Sequence, residues 1–149
     1  MKRKILISFF VILLILALTG CDEMVAPELT DRFLAEEAVY KYWQAIINRQ
    51  YELAKCYCII GGIWDNKVDE WEEYININSE GEASFLMIYF DKFYKPTEII
   101  GDNAVVYARI ITDKIVEPTK KMNGIDIDIF EYETELIKQN YPYGNWELK

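Results

Sequence analysis

The chain has 149 residues, a formal net charge of −9, no histidine, and 52% hydrophobic and 15% aromatic residues, enough apolar material for one packed domain and too much for a disordered chain. So acidic a balance excludes a nucleic-acid binder, which needs clustered Lys and Arg, and excludes adsorption to an anionic lipid surface by charge. The missing histidine excludes Ser-His-Asp and Cys-His catalysis and His-containing zinc sites, and removes the side chain that titrates nearest neutral pH.

Met1-Lys2-Arg3-Lys4 is a cationic start, and Ile5 to Leu18 is an apolar run broken only by Ser8. As a helix that run spans about 21 Å, short of the roughly 30 Å hydrocarbon core of a bilayer. It therefore fits the apolar part of a cleaved signal peptide better than a permanent span. Leu18-Thr19-Gly20-Cys21 follows, with small residues suited to a narrow protease cleft and a nucleophilic sulfur behind them. These four positions resemble the lipobox of bacterial lipoproteins. The resemblance implies a signal peptide over residues 1–20, cleavage before Cys21, and diacylglycerol and palmitate-type acyl chains on Cys21. It implies a domain tethered by that lipid to the outer side of the cytoplasmic membrane. From Cys21 onward 13 basic residues face 25 acidic ones, a net charge of −12, so attachment rests on lipid and not on charge. In bacteria with two membranes, an acid at Asp22 resembles the signal that retains lipoproteins in the inner membrane. Residues 21–30, containing Pro27, read as the lipidated cysteine and a tether, and residues 31–149 as a single domain.

From Arg32 to Asn48 the spacing predicts a helix. Ala35, Ala38, Val39, Tyr42 and Ile46 fall three and four apart, widened by Trp43 and Ile47, with Thr30 or Asp31 able to cap the start. Glu37 and Lys41 form a supporting pair four apart. A break at Asn48-Arg49-Gln50 precedes a short helix from Tyr51 to about Tyr57 and a Gly61-Gly62 turn. Trp64, Val68, Trp71 and Ile75 then mark a third helix.

The second half changes period. Phe85 to Phe90 is continuously apolar and ambiguous between strand and helix; Thr97–Ile100 and Ala104–Val116 are rich in β-branched residues, with Gly101-Asp102-Asn103 as a hairpin turn. Asn123-Gly124 is a stronger hairpin signal. Beyond it Ile125, Ile127 and Ile129 alternate with Asp126 and Asp128, whereas Phe130, Tyr132 and Leu136 fall on the other parity. That change of phase predicts a bulge at Ile129–Phe130, and counting back across Asn123-Gly124 puts Pro118 opposite Ile129. Pro142 and Gly144 suggest a last turn before Trp146 and Leu148.

Helices followed by long antiparallel strands give an α+β fold. Ala38-Val39-Tyr40-Lys41-Tyr42-Trp43-Gln44-Ala45-Ile46, then Tyr51-Glu52-Leu53-Ala54, then Glu135 to Lys138 and Gly144 to Leu148, resemble extracytoplasmic lipoproteins of the nuclear-transport-factor-two-like superfamily. The resemblance implies a curved, cystatin-like sheet wrapping the helices into an open cone with room for a pocket. Function varies across that superfamily and does not travel with its fold.

Four groups of residues invite a chemical reading. Cys56-Tyr57-Cys58 offers two sulfurs where structural zinc needs four ligands, and is expected to be a pair of small buried side chains without a disulfide. Asp65-Asn66-Lys67-Val68-Asp69-Glu70 is like a calcium loop but lacks its turn glycine, and with Glu72 and Glu73 is expected to be the wet face of the third helix. Asp126 and Asp128, with Glu131, Glu133 and Glu135 beyond, would serve acid–base work only inside a pocket, and a solvated strand face is the expected role. The eleven Tyr and four Trp residues supply material for a ligand pocket, although core packing accounts for most of them. No catalytic, metal or cofactor residues are assigned. The expectation is a non-enzymatic, lipid-anchored module that binds a small ligand or a protein. The alternatives are a small acid–base enzyme, isomerase or hydrolase, using carboxylate and Tyr, and a structural subunit of an envelope complex.

Overall fold

A computed structural model describes residues 27–79, 84–116, 126–139 and 145–149. Three helices, α1 (Pro27–Ile47), α2 (Tyr51–Lys55) and α3 (Ile63–Ser79), precede five strands: β1 (Ser84–Phe93), β2 (Glu98–Ile100), β3 (Asn103–Val116), β4 (Asp126–Lys138) and β5 (Trp146–Leu148). The strands form one antiparallel sheet in the order β1-β3-β4-β5, with β2 paired to β3 at the end that β1 leaves free. The sheet curls into half a barrel around the helices. This is the α+β cone arrangement that the resemblance implies.

The core forms where the helices meet one face of the sheet. Ala35, Val39, Tyr42, Trp43 and Ile46 of α1 and Val68, Trp71 and Ile75 of α3 are buried against Ala104, Val106, Ala108 and Ile110 of β3 and Leu136 of β4. Every second residue of β3 faces inward, as a strand with one covered face requires. Trp43 is the hub: its ring meets those of Tyr42, Trp64, Trp71 and Tyr132 at centroid distances of 5.0–6.1 Å. Such tilted and edge-to-face pairs add to the area they bury.

Helix α1 already includes residues 27–30, so neither Thr30 nor Asp31 caps its start. Asp31 instead accepts a 2.7 Å hydrogen bond from Lys138 at the end of β4. Glu37 and Lys41 pair as expected, at 2.8 Å.

At its other end α1 closes in a Schellman pattern. Gln50 N–H donates to the Ala45 carbonyl at 2.8 Å and Arg49 N–H to Ile46 at 2.9 Å, and Arg49 takes the left-handed conformation with φ of 59°. A side chain there costs energy that glycine avoids. Arg49→Gly is therefore expected to stabilise the protein by about 0.5–1 kcal/mol, part of the left-handed cost being returned as added freedom of the unfolded chain. Among the described residues, the side-chain bond it sacrifices is an exposed one to Ser79. A urea midpoint that falls, or stays put, would contradict this account of the helix end.

The predicted bulge in β4 is absent. Asn103 pairs with Ile137 and every step holds register to Lys114 opposite Asp126, so Ile129 faces Ile111 and not Pro118. Asn123-Gly124, Pro118 and the turn at Pro142 and Gly144 lie outside the described residues. The change of parity has another cause. Phe130, Tyr132, Thr134 and Leu136 point toward the helices, whereas Ile127 and Ile129 sit on the opposite, outer face and are 53% and 60% exposed. The sheet's one register shift among the described strands lies in β1, between Phe90 and Lys92. There Leu86, Ile88 and Phe90 pass to Phe93 with an extra residue between, which bends the strand. The hairpin between β2 and β3 is one residue tighter than expected: Ile100 pairs with Asn103, and Gly101, with φ of 60°, starts the two-residue loop.

Candidate functional site

Where α3 passes the middle of β4, the aromatic core reaches the surface. Trp71 and Tyr74, three apart on α3, meet Phe130 and Tyr132, two apart on the inner face of β4. Trp71 lies 5.3 Å from Tyr74 and 5.4 Å from Phe130 between ring centroids, and the near-parallel rings of Phe130 and Tyr132 are 6.4 Å apart. These four side chains, with Lys67 and Glu70 at the rim, line an open pocket of about 250 Å³. Lys67 and Glu70 are themselves paired at 2.6 Å. Burial pushes the Tyr132 phenol up to about 12, and the Glu70 carboxylate adds to that rise. Tyr42, deeper in the core, is raised by burial first, with Glu70 and Asp65 among the charges contributing, and donates to the Trp64 carbonyl at 3.4 Å. Tyr74 shares a 3.4 Å hydroxyl contact with Thr112 of β3.

A second cleft of about 280 Å³ lies on the far side of α1, between Glu37, Lys41, Cys56, Tyr57 and the Asn145–Glu147 segment. It holds one of the two thiols. Cys58 is buried as expected, and burial pushes its thiol up to about 12; Cys56 is exposed, contrary to expectation. The difference follows from position: Cys56 caps α2 at its wet end, whereas Cys58 bridges to Leu148 of the edge strand β5 and belongs to the buried core. The two thiols bond back to different carbonyls, those of Glu52 and Ala54, and neither forms a disulfide.

The acidic stretch Asp65–Glu70 is the exposed side of α3, as expected. Asp65 accepts the Gly61 N–H at 2.8 Å beside the helix start, and Asp69 pairs with Lys55 at 2.7 Å. Gly62 packs so closely there that a Cβ would stand 2.9 Å from the Ile59 carbonyl. Asp128 is exposed on the same face as Phe130, opposite Thr112, and the Asp126 side chain lies outside the described residues. Glu131 pairs with Arg109 on the outer face, and Glu135 is 4.0 Å from Lys149. Asp128 thus lies on the opposite face of β4 from Glu131, Glu133 and Glu135. Among the described residues, no group of three or more Cys, Asp and Glu could hold a metal ion, and no helix is long and apolar enough to cross a membrane. Leu18, Thr19, Gly20 and Cys21 lie outside the described residues.

Sequence reasoning placed Trp71 in a core stripe and Glu70 on a wet face, and did not see that the two meet Phe130 and Tyr132. The signal was there in part, since Phe130 and Tyr132 share one parity and Trp71 and Tyr74 one helical side. What it lacked was the level along the sheet at which α3 crosses β4.

No family model and no curated protein sequence matches the chain. Among solved structures it is similar to a conserved protein from Planctomyces limnophilus, at 10% identity and a TM-score of 0.48, over 80% of this chain and 91% of that one. It is also similar to a ketosteroid isomerase-like protein from Erwinia carotovora atroseptica, at 11% identity and a TM-score of 0.43, over 79% of this chain and 90% of that one. At such identity no residue role passes between the chains, and the architecture above rests on this chain's own helices and sheet.

Proposed function

We propose that this chain is a lipid-anchored module on the outer face of a cytoplasmic membrane, and that it binds a small ligand in the aromatic mouth between α3 and β4 without transforming it. The observation that carries the reading is the mouth itself: Trp71, Tyr74, Phe130 and Tyr132 brought together at an opening of about 250 Å³, where Tyr74, Phe130 and Tyr132 stay half-buried around the buried Trp71. Binding sites are concave, mostly apolar and edged by a few polar groups, and Lys67 and Glu70 are those groups here. The anchor is supported by Leu18-Thr19-Gly20-Cys21 and the apolar run before it. A binding role rather than a catalytic one is supported by the lack of histidine and by Asp128 standing in solvent.

Native mass spectrometry of the full chain, extracted from its own membranes, tests the reading. A retained small molecule is expected in the wild type, with the amount cut at least tenfold by Phe130→Ala. A ligand-free protein showing turnover in a substrate panel, lost on Tyr132→Phe, would replace the binding module with an enzyme.

The outer sheet face favours a second reading, as a subunit of an envelope complex. Tyr89, Ile111 and Ile129 form one cross-strand row and Met87, Asp113 and Ile127 the next, with Met87 and Tyr89 each 40% exposed. Contiguous exposed apolar surface of this kind marks contact sites. One oxygen of Asp113 is buried within the patch without a hydrogen-bond partner among the described residues, and Tyr89 donates to the other at 3.4 Å.

A further inference from the structure

The aromatic mouth by itself would accept any apolar group, and its charges narrow the choice. Helix α3 carries Asp65, Asp69, Glu70, Glu72 and Glu73 against a single base, Lys67. That base is paired with Glu70 at 2.6 Å, so these two charges partly offset each other and the helix's other four acids keep its field negative. The Glu70 charge also reaches behind the rim, contributing to the rise of both Tyr132 and Tyr42. An anion entering here would meet this field and the negative faces of the rings together. A cation would be attracted by both. The pocket is open on one side, so a bulky, weakly hydrated ammonium head can rest on the rings while the rest of its molecule stays outside.

We propose that the mouth between α3 and β4 binds an organic cation, its quaternary or tertiary ammonium head set against Trp71, Tyr74, Phe130 and Tyr132 beside the Glu70 carboxylate. The proposal rests on the binding-module reading and names its ligand class. Weak hydration is what separates such a head from a primary amine, which gives up more water to reach an aromatic surface. Lys67 opposes the ligand electrostatically and competes with it for Glu70.

The test compares choline with 3,3-dimethylbutan-1-ol, which has the same shape and no charge. Calorimetric titrations use the full chain in a maltoside detergent, free of choline lipids. Choline is expected to bind about tenfold more tightly than the neutral isostere, a ratio within the range of desolvated cation–aromatic contacts. Glu70→Gln is expected to weaken choline about five- to tenfold and leave the alcohol unchanged, whereas Lys67→Met strengthens choline two- to fivefold. Both side chains stand at the solvent edge, so neither change threatens folding. Equal affinity for choline and the alcohol would overturn the cation assignment and leave an apolar binding module. Choline binding untouched by both Glu70→Gln and Phe130→Ala would place the site elsewhere and overturn it too. If neither compound binds the wild type, the cation proposal fails. The binding-module reading then stands or falls on whether native mass spectrometry finds a different retained ligand.

Discussion

Trp43→Ala is expected to cost about 3–5 kcal/mol, a large share of the roughly 5–15 kcal/mol that holds a domain of this size together. Trp43 has no exposed surface, and its ring touches Tyr42 of α1, Trp64 and Trp71 of α3, and Tyr132 of β4. Alanine removes the transfer energy of an indole and leaves a void that four rigid rings cannot close by turning. Loss of hydrogen bonding adds little, because the indole N–H has no partner among the described residues. Trp43→Phe, which keeps most of the ring, is therefore expected to cost much less than alanine. On the outer sheet face Ile129→Ala, at a side chain 60% exposed, should change stability by less than about 0.5 kcal/mol. Urea unfolding of the three variants checks the order. A Trp43→Ala cost below 1 kcal/mol would mean that the aromatic hub is not the centre of the core.

The helices were legible because each has a single wet side. In α1 the apolar residues recur with helical spacing, and the structure buries Ala35, Val39, Tyr42, Trp43 and Ile46 together. The strands after β1 were legible as strands, but their faces were not, and the apolar run of β1 fitted strand and helix alike. At Ile127 and Ile129 the sequence shows apolar residues in period two, and the natural inference is that they face the core. They face outward instead, because the core-facing parity is already taken by Phe130, Tyr132, Thr134 and Leu136 further along the same unbroken strand. The parity rule reads alternation, and it cannot say which of two apolar faces a helix covers. The bend that does exist was readable in β1, where Leu86, Ile88 and Phe90 give way to Phe93 across Asp91-Lys92. A continuous apolar run beside it hid the phase.

The same limit governs the mouth. Trp71 with Tyr74, and Phe130 with Tyr132, are each local patterns of three or two residues. Bringing the pairs within 5.4 Å depends on the level at which α3 lies across the sheet, a non-local quantity fixed by the packing of Trp43, Trp64 and Ile75. Charge was easier to read, since Glu70 and Lys67 are neighbours on the helix surface whatever the sheet does.

Cys21→Ser should reduce incorporation of a fatty-acid analogue to background and leave a precursor about 20 residues heavier than the wild-type protein, the length of chain expected to be removed before Cys21. Lipid transfer forms a thioether through the sulfur, and a serine hydroxyl, far less acidic than a thiol, is a poor nucleophile in its place. Cleavage is expected to fail with it, because the protease acts on the lipid-modified residue in the family whose lipobox Leu18-Thr19-Gly20-Cys21 resembles. A lipid is also what the proposed attachment would require. With 25 acids against 13 bases from Cys21 onward, the domain is repelled by an anionic bilayer surface. A single acyl chain binds only marginally, whereas the two chains of a diacylglycerol anchor stably. Localisation alone is a poor readout, since an uncleaved leader would keep the precursor at the membrane. Label and mobility together separate the cases. Equal label in both proteins, or a wild type that runs at full precursor length, would turn residues 1–20 from a cleaved signal into a retained anchor and remove the lipid from the proposed function.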